Sequence, residues 1–143
     1  MFYLFIFLLA IFSDQLSKFL IDQNLLPGES ISLWEGIIEL SYVRNTGAAF
    51  GILAERRVLL LVIQIAVLIF IYVLYQFYLP KIEYNRLFIV LLAAGAIGNI
   101  IDRIRLGYVI DFIDLQIWPV FNLADIFIVV GTLGIVYNLW QSI

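Results

Sequence analysis

The uncharged stretch VLLLVIQIAVLIFIYVLYQFYL, residues 58–79, decides the fold class of this chain. A helix needs about 20 mostly apolar residues to cross a hydrocarbon core that is ~30 Å thick, because each residue rises ~1.5 Å. The stretch reaches this length without a charged residue, and Pro80 after it favours a helix boundary. It is therefore predicted to be a transmembrane helix.

The rest of the chain has the same apolar character. Hydrophobic residues make up 64% of the 143 residues and charged residues 13%, whereas apolar residues make up roughly 45–50% of a soluble domain. Three further apolar stretches predict transmembrane helices over residues 1–21, 87–103 and 120–140. The first lacks the basic leader and small-residue cleavage site of a secretory signal, so we expect it to be retained. The small-residue cluster AAGAIG, residues 93–98, would let another helix approach closely.

Residues 28–50, between the first two predicted helices, change from helical to alternating periodicity. Apolar side chains recur at every second position, first at Ile31 and Leu33 and then at Ile38, Leu40 and Tyr42. This alternation predicts a small β-hairpin or sheet outside the bilayer. No repeat or linker marks a second unit, so residues 1–143 are predicted to form a single integral membrane domain that is mainly α-helical.

The composition excludes several kinds of catalytic site. The chain has no cysteine and no histidine, so it can build neither a thiol nucleophile, nor a Ser-His pair, nor a His-based zinc site. A Ser-Lys dyad needs a neutral lysine, and Lys18 lies one helical turn from Asp14, which favours the charged form. The net charge is −3 and the sequence has no long basic run, so it gives no sign of a nucleic-acid-binding surface. What remains for hydrolysis is a pair of carboxylates that share one proton.

Four aspartates occur in the stretch GNIIDRIRLGYVIDFIDLQIWPVFNLAD, residues 98–125, and two of them suit such a pair. Asp111 has apolar neighbours on both sides, and Asp125 lies in a predicted span with no basic residue nearby in sequence. Pro119 favours a break in regular structure between the two acids. The short segment that joins them can therefore fold back and bring both acids to the same membrane depth. A neutral acid hydrogen-bonded to another helix is the alternative interpretation of Asp125.

The other two aspartates have more ordinary explanations. Asp102 is followed by Arg103 and lies three residues after Asn99, so local partners would hold it ionised in a structural role. Asp114 stands in a short polar stretch and is expected to be a solvated loop acid. Asn99 and Arg103 share one face of the third helix, so this face can meet the start of the fourth helix at one polar site.

Three further polar residues allow both a structural and a functional interpretation. Asp14 and Lys18 lie on one helix face, where they would form either a helix-end ion pair that reaches the interface or a support for the site. Asn122 would either cap the fourth helix or line the polar site.

Five blocks of the sequence resemble the lipoprotein signal peptidase family, also called signal peptidase II, whose members are bacterial aspartic peptidases of the membrane. The blocks are DQLSK at residues 14–18, NTGAAFG at 45–51, GNIIDR at 98–103, VIDF at 109–112 and FNLAD at 121–125. They occur in the family order at compatible spacing. The resemblance implies four transmembrane helices and a small extracytoplasmic sheet, in agreement with the alternating segment.

The resemblance also assigns roles to residues in these blocks. It implies that Asp111 and Asp125 are the catalytic dyad. A substrate-binding or supporting role is implied for Asp14, Lys18, Asn45, Gly47, Asn99, Asp102, Arg103 and Asn122. The small residues of NTGAAFG would let a peptide backbone approach closely, although a tight turn before the second helix is the alternative. Neither a metal nor an organic cofactor is implied.

The substrate and location follow from the same resemblance. It implies a prolipoprotein whose cysteine carries a diacylglyceryl group and which is cleaved just before that cysteine, with membrane lipids as the other partners and the protein as a monomer. It implies the bacterial cytoplasmic (inner) membrane, with both termini cytoplasmic and the active site toward the extracytoplasmic side. The distribution of lysine and arginine taken alone favours the opposite orientation. We follow the family because Lys18, Arg44 and Arg103 lie in or beside its motifs, whereas Arg56 and Arg57 have no such explanation.

Two other classes of function remain open at this point. In a small proton-coupled transporter or channel subunit, intramembrane acids would relay protons. Such a protein would need neither the NTGAAFG loop nor a sheet outside the bilayer. A membrane assembly factor without catalysis would explain the small-residue helix faces but not the paired acids.

Overall fold

The computed structural model describes residues 1–47, 56–77 and 83–141. Its helices are α1 (Phe2–Asn24), α2 (Arg57–Phe77), α3 (Glu83–Arg105) and α4 (Leu123–Gln141), and its strands are β1 (Ser30–Trp34), β2 (Ile38–Asn45) and β3 (Val109–Asp114). All four helices are long and apolar enough to cross a membrane, which confirms the predicted fold class. Residues 78 and 79 of the second predicted helix, and residues 48–50 of the predicted β region, lie outside the described residues.

The helix α3 is the centre of the bundle. In the apolar segment of α3, 44% of the residues are buried, compared with 6% in α2. The other three helices, α1, α2 and α4, all pack against α3. Most apolar side chains of α2 therefore face outward, as expected of a helix in contact with lipid. The polar residues of α3 lie where three other helices can surround them.

Glycines set the distance between α3 and α4. A Cβ atom at Gly95 of α3 would collide with the carbonyl oxygen of Ala124, and one at Gly131 of α4 would lie 2.5 Å from the carbonyl oxygen of Phe88. The two backbones can come this close only where no side chain stands between them. The close helix approach predicted for residues 93–98 is thus present at Gly95.

Replacing Gly131 should loosen this contact and destabilise the protein. Gly131→Val would place its side chain against Phe88 and Leu92, and overpacking of this kind costs about 1–3 kcal/mol. We expect a lower Tm for the purified protein in detergent, measured by thermal unfolding. The control is Thr132→Val, which puts the same side chain on the exposed neighbouring position and should leave the Tm unchanged. Equal Tm values for the two variants would contradict the close packing.

The sheet has three antiparallel strands in the order β1-β2-β3. The first two form the predicted hairpin, with a turn at Gly36, whose φ of 73° suits glycine. Leu40 pairs with Ile113 and Val43 pairs with Asp111, so β3 adds a strand from the segment between α3 and α4. The sheet packs against the end of α1 through a core of Ile21, Leu25, Tyr42, Ile110 and Phe112.

The third strand is a correction to the sequence analysis, which predicted β structure only over residues 28–50 and placed Asp114 in a solvated loop. Four of its six residues are buried, from Val109 to Phe112. Because both faces are covered, its sequence VIDFID lacks the strict alternation of apolar and polar residues that marks a half-buried strand. Asp114 ends this strand instead of standing in a solvated loop. It is half-buried and accepts hydrogen bonds from the Ser41 hydroxyl at 3.2 Å and the Gln116 amide at 2.8 Å.

The chain folds back after β3, as predicted. The amide nitrogens of Phe112 and Ile113 both donate to the carbonyl oxygen of Phe121, at 3.0 and 2.8 Å, and the Phe121 amide donates to Ile113 at 3.1 Å. This closure places Asn122, the residue before α4, beside β3. The helix therefore begins at Leu123, three residues later than predicted.

Candidate active site

The carboxylate of Asp111 is buried and held by two asparagine side chains. Asp111 lies in the middle of β3 and is 2% exposed. One of its oxygens accepts a hydrogen bond from Asn45 Nδ2 at 2.7 Å, and the other accepts one from Asn122 Nδ2 at 2.6 Å. Asn45 comes from the neighbouring strand β2 and Asn122 from the start of α4. The sheet register and the fold-back together fix the position of this acid.

The carboxylate of Asp125 is oriented by the first turn of α4. The Asp125 amide donates to Asn122 Oδ1 at 2.9 Å, and the Asn122 amide donates back to Asp125 Oδ2 at 3.3 Å. This is a reciprocal helix cap, and a negative charge is stabilised at this end of a helix. The other oxygen of Asp125 accepts a hydrogen bond from Asn99 Nδ2 at 2.8 Å. Asn122 is thus both a helix cap and a hydrogen-bond partner of Asp111.

A buried ammonium group lies behind the two acids. Lys18 Nζ lies 2.9 Å from Asp14 Oδ2 and 3.0 Å from Asp102 Oδ2, and it donates to Asn99 Oδ1 at 3.0 Å. Since lysine has only donors, the oxygen of the Asn99 amide must face Lys18 and its nitrogen must face Asp125. Lys18 is 2% exposed and Asp14 is 1% exposed. A helix-end ion pair that reaches the interface is therefore the wrong interpretation of Asp14 and Lys18.

Asp14 also connects the first helix to the last. Its Oδ1 accepts a hydrogen bond from the amide of Ala124, in the first turn of α4, at 2.9 Å. Gly98 of α3 makes room for it, because a Cβ at Gly98 would lie 2.6 Å from Asp14 Oδ2. Asp14 therefore satisfies an amide at the start of α4 that has no partner within the helix.

The partners of Asp102 differ from those expected from its sequence neighbours. Asp102 Oδ2 contacts Lys18 and accepts from the Ile110 amide at 3.3 Å, and Oδ1 accepts from Gln15 Nε2 at 2.9 Å. Neither Asn99 nor Arg103 forms the pair that we expected. Successive residues point to different sides of a helix, so Asp102 faces α1 while Arg103 faces the dyad.

Arg103 supplies a positive charge on the side of the acids. It is 7% exposed, and it donates to the carbonyl oxygen of Gly47 at 2.8 Å and to Gln64 Oε1 at 3.2 Å. The amide of Gly47 donates to Asn45 Oδ1 at 2.9 Å, which forms a tight turn after β2. Residues 45–47 of NTGAAFG thus form a turn, and the rest of this block lies outside the described residues.

Both acids line one cavity of about 370 Å³, a volume typical of small-molecule sites. Its polar lining residues are Asn45, Gln64, Asn99, Arg103, Asp111 and Asp125, and apolar side chains including Trp118, Phe121 and Val129 complete it. A second cavity of about 380 Å³ shares these three apolar residues and Asp125, and its remaining lining is apolar. A molecule with one polar reacting group and long apolar parts fits this combination.

The surroundings of Asp111 raise the pKa of its carboxyl group. Burial, followed by the negative charge of Asp125, raises the pKa of Asp111 to about 7, although the hydrogen bonds from Asn45 and Asn122 lower it. Two carboxylates in one cavity share a proton when their charges repel in this way. The raised pKa lets Asp111 retain a proton near neutral pH. Within residues 1–47, 56–77 and 83–141, no group of three or more acidic side chains is placed to hold a metal ion.

Every site residue predicted from the sequence lies in this region, and the structure adds three residues that the sequence analysis missed. Gln15 bridges Asp14 and Asp102, and Gln64 contacts Arg103. Arg57 donates to the carbonyl oxygen of Ile104 at 2.8 Å, near the end of α3. Gln64 had a signal in the sequence, since it is a lone amide in the interior of an apolar span.

Comparison with known proteins gives one consistent result. The family model described as signal peptidase (SPase) II matches residues 6–141. The lipoprotein signal peptidase of Moorella thermoacetica is 44% identical over 139 residues, which cover 97% of this chain and 91% of that protein. The lipoprotein signal peptidase of Halothermothrix orenii is 43% identical over 135 residues, covering 94% and 92%.

Two solved structures of bacterial membrane enzymes are similar to this fold. One has a TM-score of 0.90 and 31% sequence identity, and the match covers 97% of this chain and 87% of the other. The second has a TM-score of 0.85 and 32% identity, with 96% and 91% covered.

Proposed function

The chain belongs to the signal peptidase II family, and on that premise we propose that it is an aspartic endopeptidase that removes signal peptides from diacylglyceryl-modified prolipoproteins. Cleavage would occur just before the lipidated cysteine. The observation that carries the proposal is the position of Asp111 and Asp125, which come from different elements and line one cavity. The proposed chemistry uses these two acids and a water molecule.

The two acids would divide the work of hydrolysis. Ionised Asp125 removes a proton from a water molecule, and protonated Asp111 donates a hydrogen bond to the carbonyl oxygen of the scissile bond. The resulting hydroxyl group attacks the carbonyl carbon. When the C–N bond breaks, the proton taken from water passes to the leaving amine of the cysteine. Arg103 offsets the single negative charge of the site, which lies on the aspartate pair before the attack and on the substrate oxygen in the tetrahedral intermediate.

The surroundings of the dyad support a lipid-modified substrate. The apolar cavity beside Asp125 suits an acyl chain or the apolar part of a signal peptide, whereas a soluble peptide would have little to bind there. We propose that the protein works as a single integral membrane domain and as a monomer, because one chain supplies both acids and all their partners.

The chain is a multi-pass bacterial membrane protein, and we propose that both termini are cytoplasmic and that the dyad lies toward the extracytoplasmic side. The opposing arginine and lysine distribution has local causes. Lys18 and Arg103 are buried in the site, Arg57 binds the carbonyl of Ile104, and Arg44 stacks on the rings of Tyr42 and Tyr108. Local contacts account for the positions of these four basic residues, so their distribution says little about the orientation of the protein in the membrane.

A reporter fused after Ile143 tests this orientation. We expect a reporter that works only in the cytoplasm to be active in this fusion. A reporter that works only on the extracytoplasmic side should be inactive. The reverse result would overturn the proposed topology.

The proton on Asp111 makes a prediction about pH. Since the pKa of Asp111 is raised to about 7 and the mechanism needs this proton, kcat/KM should fall by about tenfold per pH unit above that value. Asn45→Ala removes a hydrogen bond that lowers the pKa of Asp111. The fall in kcat/KM at alkaline pH should therefore begin at a higher pH in this variant than in the wild type. Rates measured between pH 5.5 and 9 check both statements. A limb that stays in place or moves to lower pH in the variant would contradict the assignment.

The test of the proposed function is a comparison of two substrates. Purified protein is incubated with one prolipoprotein before and after diacylglyceryl transfer to its cysteine, and the products are identified by mass spectrometry. We expect cleavage of the lipidated form only, just before the modified cysteine. Cleavage of both forms, or of neither, would refute the proposal.

A further inference from the structure

The interior of α2 carries one amide side chain, and it reaches the dyad cavity. Gln64 lies seven residues after Arg57, so it is roughly 10 Å along the helix from the first residue of α2. Its neighbours in sequence are apolar and mostly exposed to lipid, whereas Gln64 is half-buried and lines the cavity that contains Asp111 and Asp125. A polar amide at this depth is costly unless it has hydrogen-bond partners.

The orientation of this amide follows from its hydrogen bond with Arg103. Arg103 Nη1 donates to Gln64 Oε1 at 3.2 Å, and because arginine has no acceptor, the amide oxygen must face Arg103. The Nε2 group, with two N–H donors, then points away from Arg103. Within the part of the chain that the structure describes, no protein hydrogen bond satisfies these donors, and Gln64 lines the cavity that contains both acids.

We propose that Gln64 is a substrate-binding residue that donates a hydrogen bond from Nε2 to a carbonyl oxygen of the bound substrate. The inference rests on the proposed function, because a lipid-modified peptide brings carbonyl groups to this depth. Two sources share this chemistry: a peptide bond on the signal-peptide side of the cleavage site and an ester of the diacylglyceryl group. Hydrocarbon chains cannot accept the bond, so an apolar ligand alone would leave the amide unsatisfied.

The first test compares three variants in the cleavage assay. Gln64→Met keeps the size of the side chain but neither donates nor accepts, and we expect kcat/KM to fall by about 3- to 10-fold, mainly through KM, as for one neutral hydrogen bond. Gln64→Glu keeps an acceptor for Arg103 and loses the donors, so it should lose at least as much. The control Gln76→Met changes the exposed glutamine of the same helix and should have wild-type kinetics.

The second test changes the carbonyl groups of the substrate. In one arm, dialkyl ether chains replace the two esters, and in the other, single thioamides replace peptide bonds upstream of the cleavage site. We expect the difference between wild type and Gln64→Met to disappear for the ether substrate or for one thioamide, which identifies the acceptor.

Three results would overturn the proposal for Gln64. Wild-type kinetics of Gln64→Met would remove any role in binding. Recovery of wild-type kinetics by Gln64→Glu would show that Gln64 acts only through Arg103. A Gln64→Met defect of unchanged size for every modified substrate would exclude a bond to a carbonyl. In all three cases the wild-type protein still cleaves the lipidated precursor, whereas failure of that cleavage refutes the proposed function itself.

Discussion

Asp111→Asn and Asp125→Asn should each lower kcat for cleavage of a diacylglyceryl-modified prolipoprotein by roughly 10³- to 10⁴-fold. Asparagine in place of Asp111 has no acidic proton to offer the scissile carbonyl, and asparagine in place of Asp125 cannot take a proton from water. Both substitutions conserve size and introduce no charge, so the chain should still insert and fold. The measurement is single-turnover cleavage of the purified variants, with thermal unfolding to verify the fold.

The matched control for the dyad is Asp114→Asn. Asp114 is on the same strand, three residues after Asp111, and its partners are Ser41 and Gln116 instead of the dyad asparagines. It should keep substantial activity. A loss at Asp114 as large as at Asp111, or normal processing by either dyad variant, would show that the acids have been assigned wrongly.

Lys18→Met should cost about 3–5 kcal/mol of stability and most of the activity. The substitution leaves Asp14 and Asp102 buried near each other without their shared cation, and a buried charge that loses its partner is strongly destabilising. It also removes the group that orients the Asn99 amide toward Asp125. Thermal unfolding in detergent and the cleavage rate measure the two effects.

Two further variants separate charge from packing at Lys18. Gln23→Met, at an exposed position of the same helix, should behave as wild type. Lys18→Met combined with Asp14→Asn and Asp102→Asn removes the uncompensated charges, so it should recover much of the stability but less of the activity. If the triple variant is no more stable than Lys18→Met alone, the loss arises from packing and the electrostatic explanation is wrong.

The four spans could be predicted because the bilayer imposes a strict requirement on sequence. A helix that faces lipid must present apolar side chains along its whole length, and this leaves a run such as residues 58–79 with no other interpretation. The hairpin could be predicted because apolar residues recur at every second position in the sequences of β1 and β2. The boundary of α4 was less accurate, because the cap formed by Asn122 is a hydrogen-bond arrangement that an apolar run does not reveal.

The missed features depend on contacts between distant parts of the chain. Strand β3 is covered on both faces by other elements, so its own residues show no alternation. Asp102 was paired with its neighbours in sequence, whereas its cation comes from α1. The choice of Asp111 and Asp125 came from their apolar surroundings and from the family resemblance. The structure places both at one cavity, and their catalytic role stays a prediction until the variants are measured.

The hydrogen bond from the Ala124 amide to Asp14 has a consequence for biosynthesis. Asp14 belongs to α1 and Ala124 to α4, which is synthesised after α1, and Asp125 is the next residue. An incomplete chain therefore holds Asp111 without its partner acid, and the arrangement closes only when α4 docks against α1 and α3. If the two acids act together as proposed, hydrolysis would therefore begin only after α4 has been synthesised and has docked against α1 and α3.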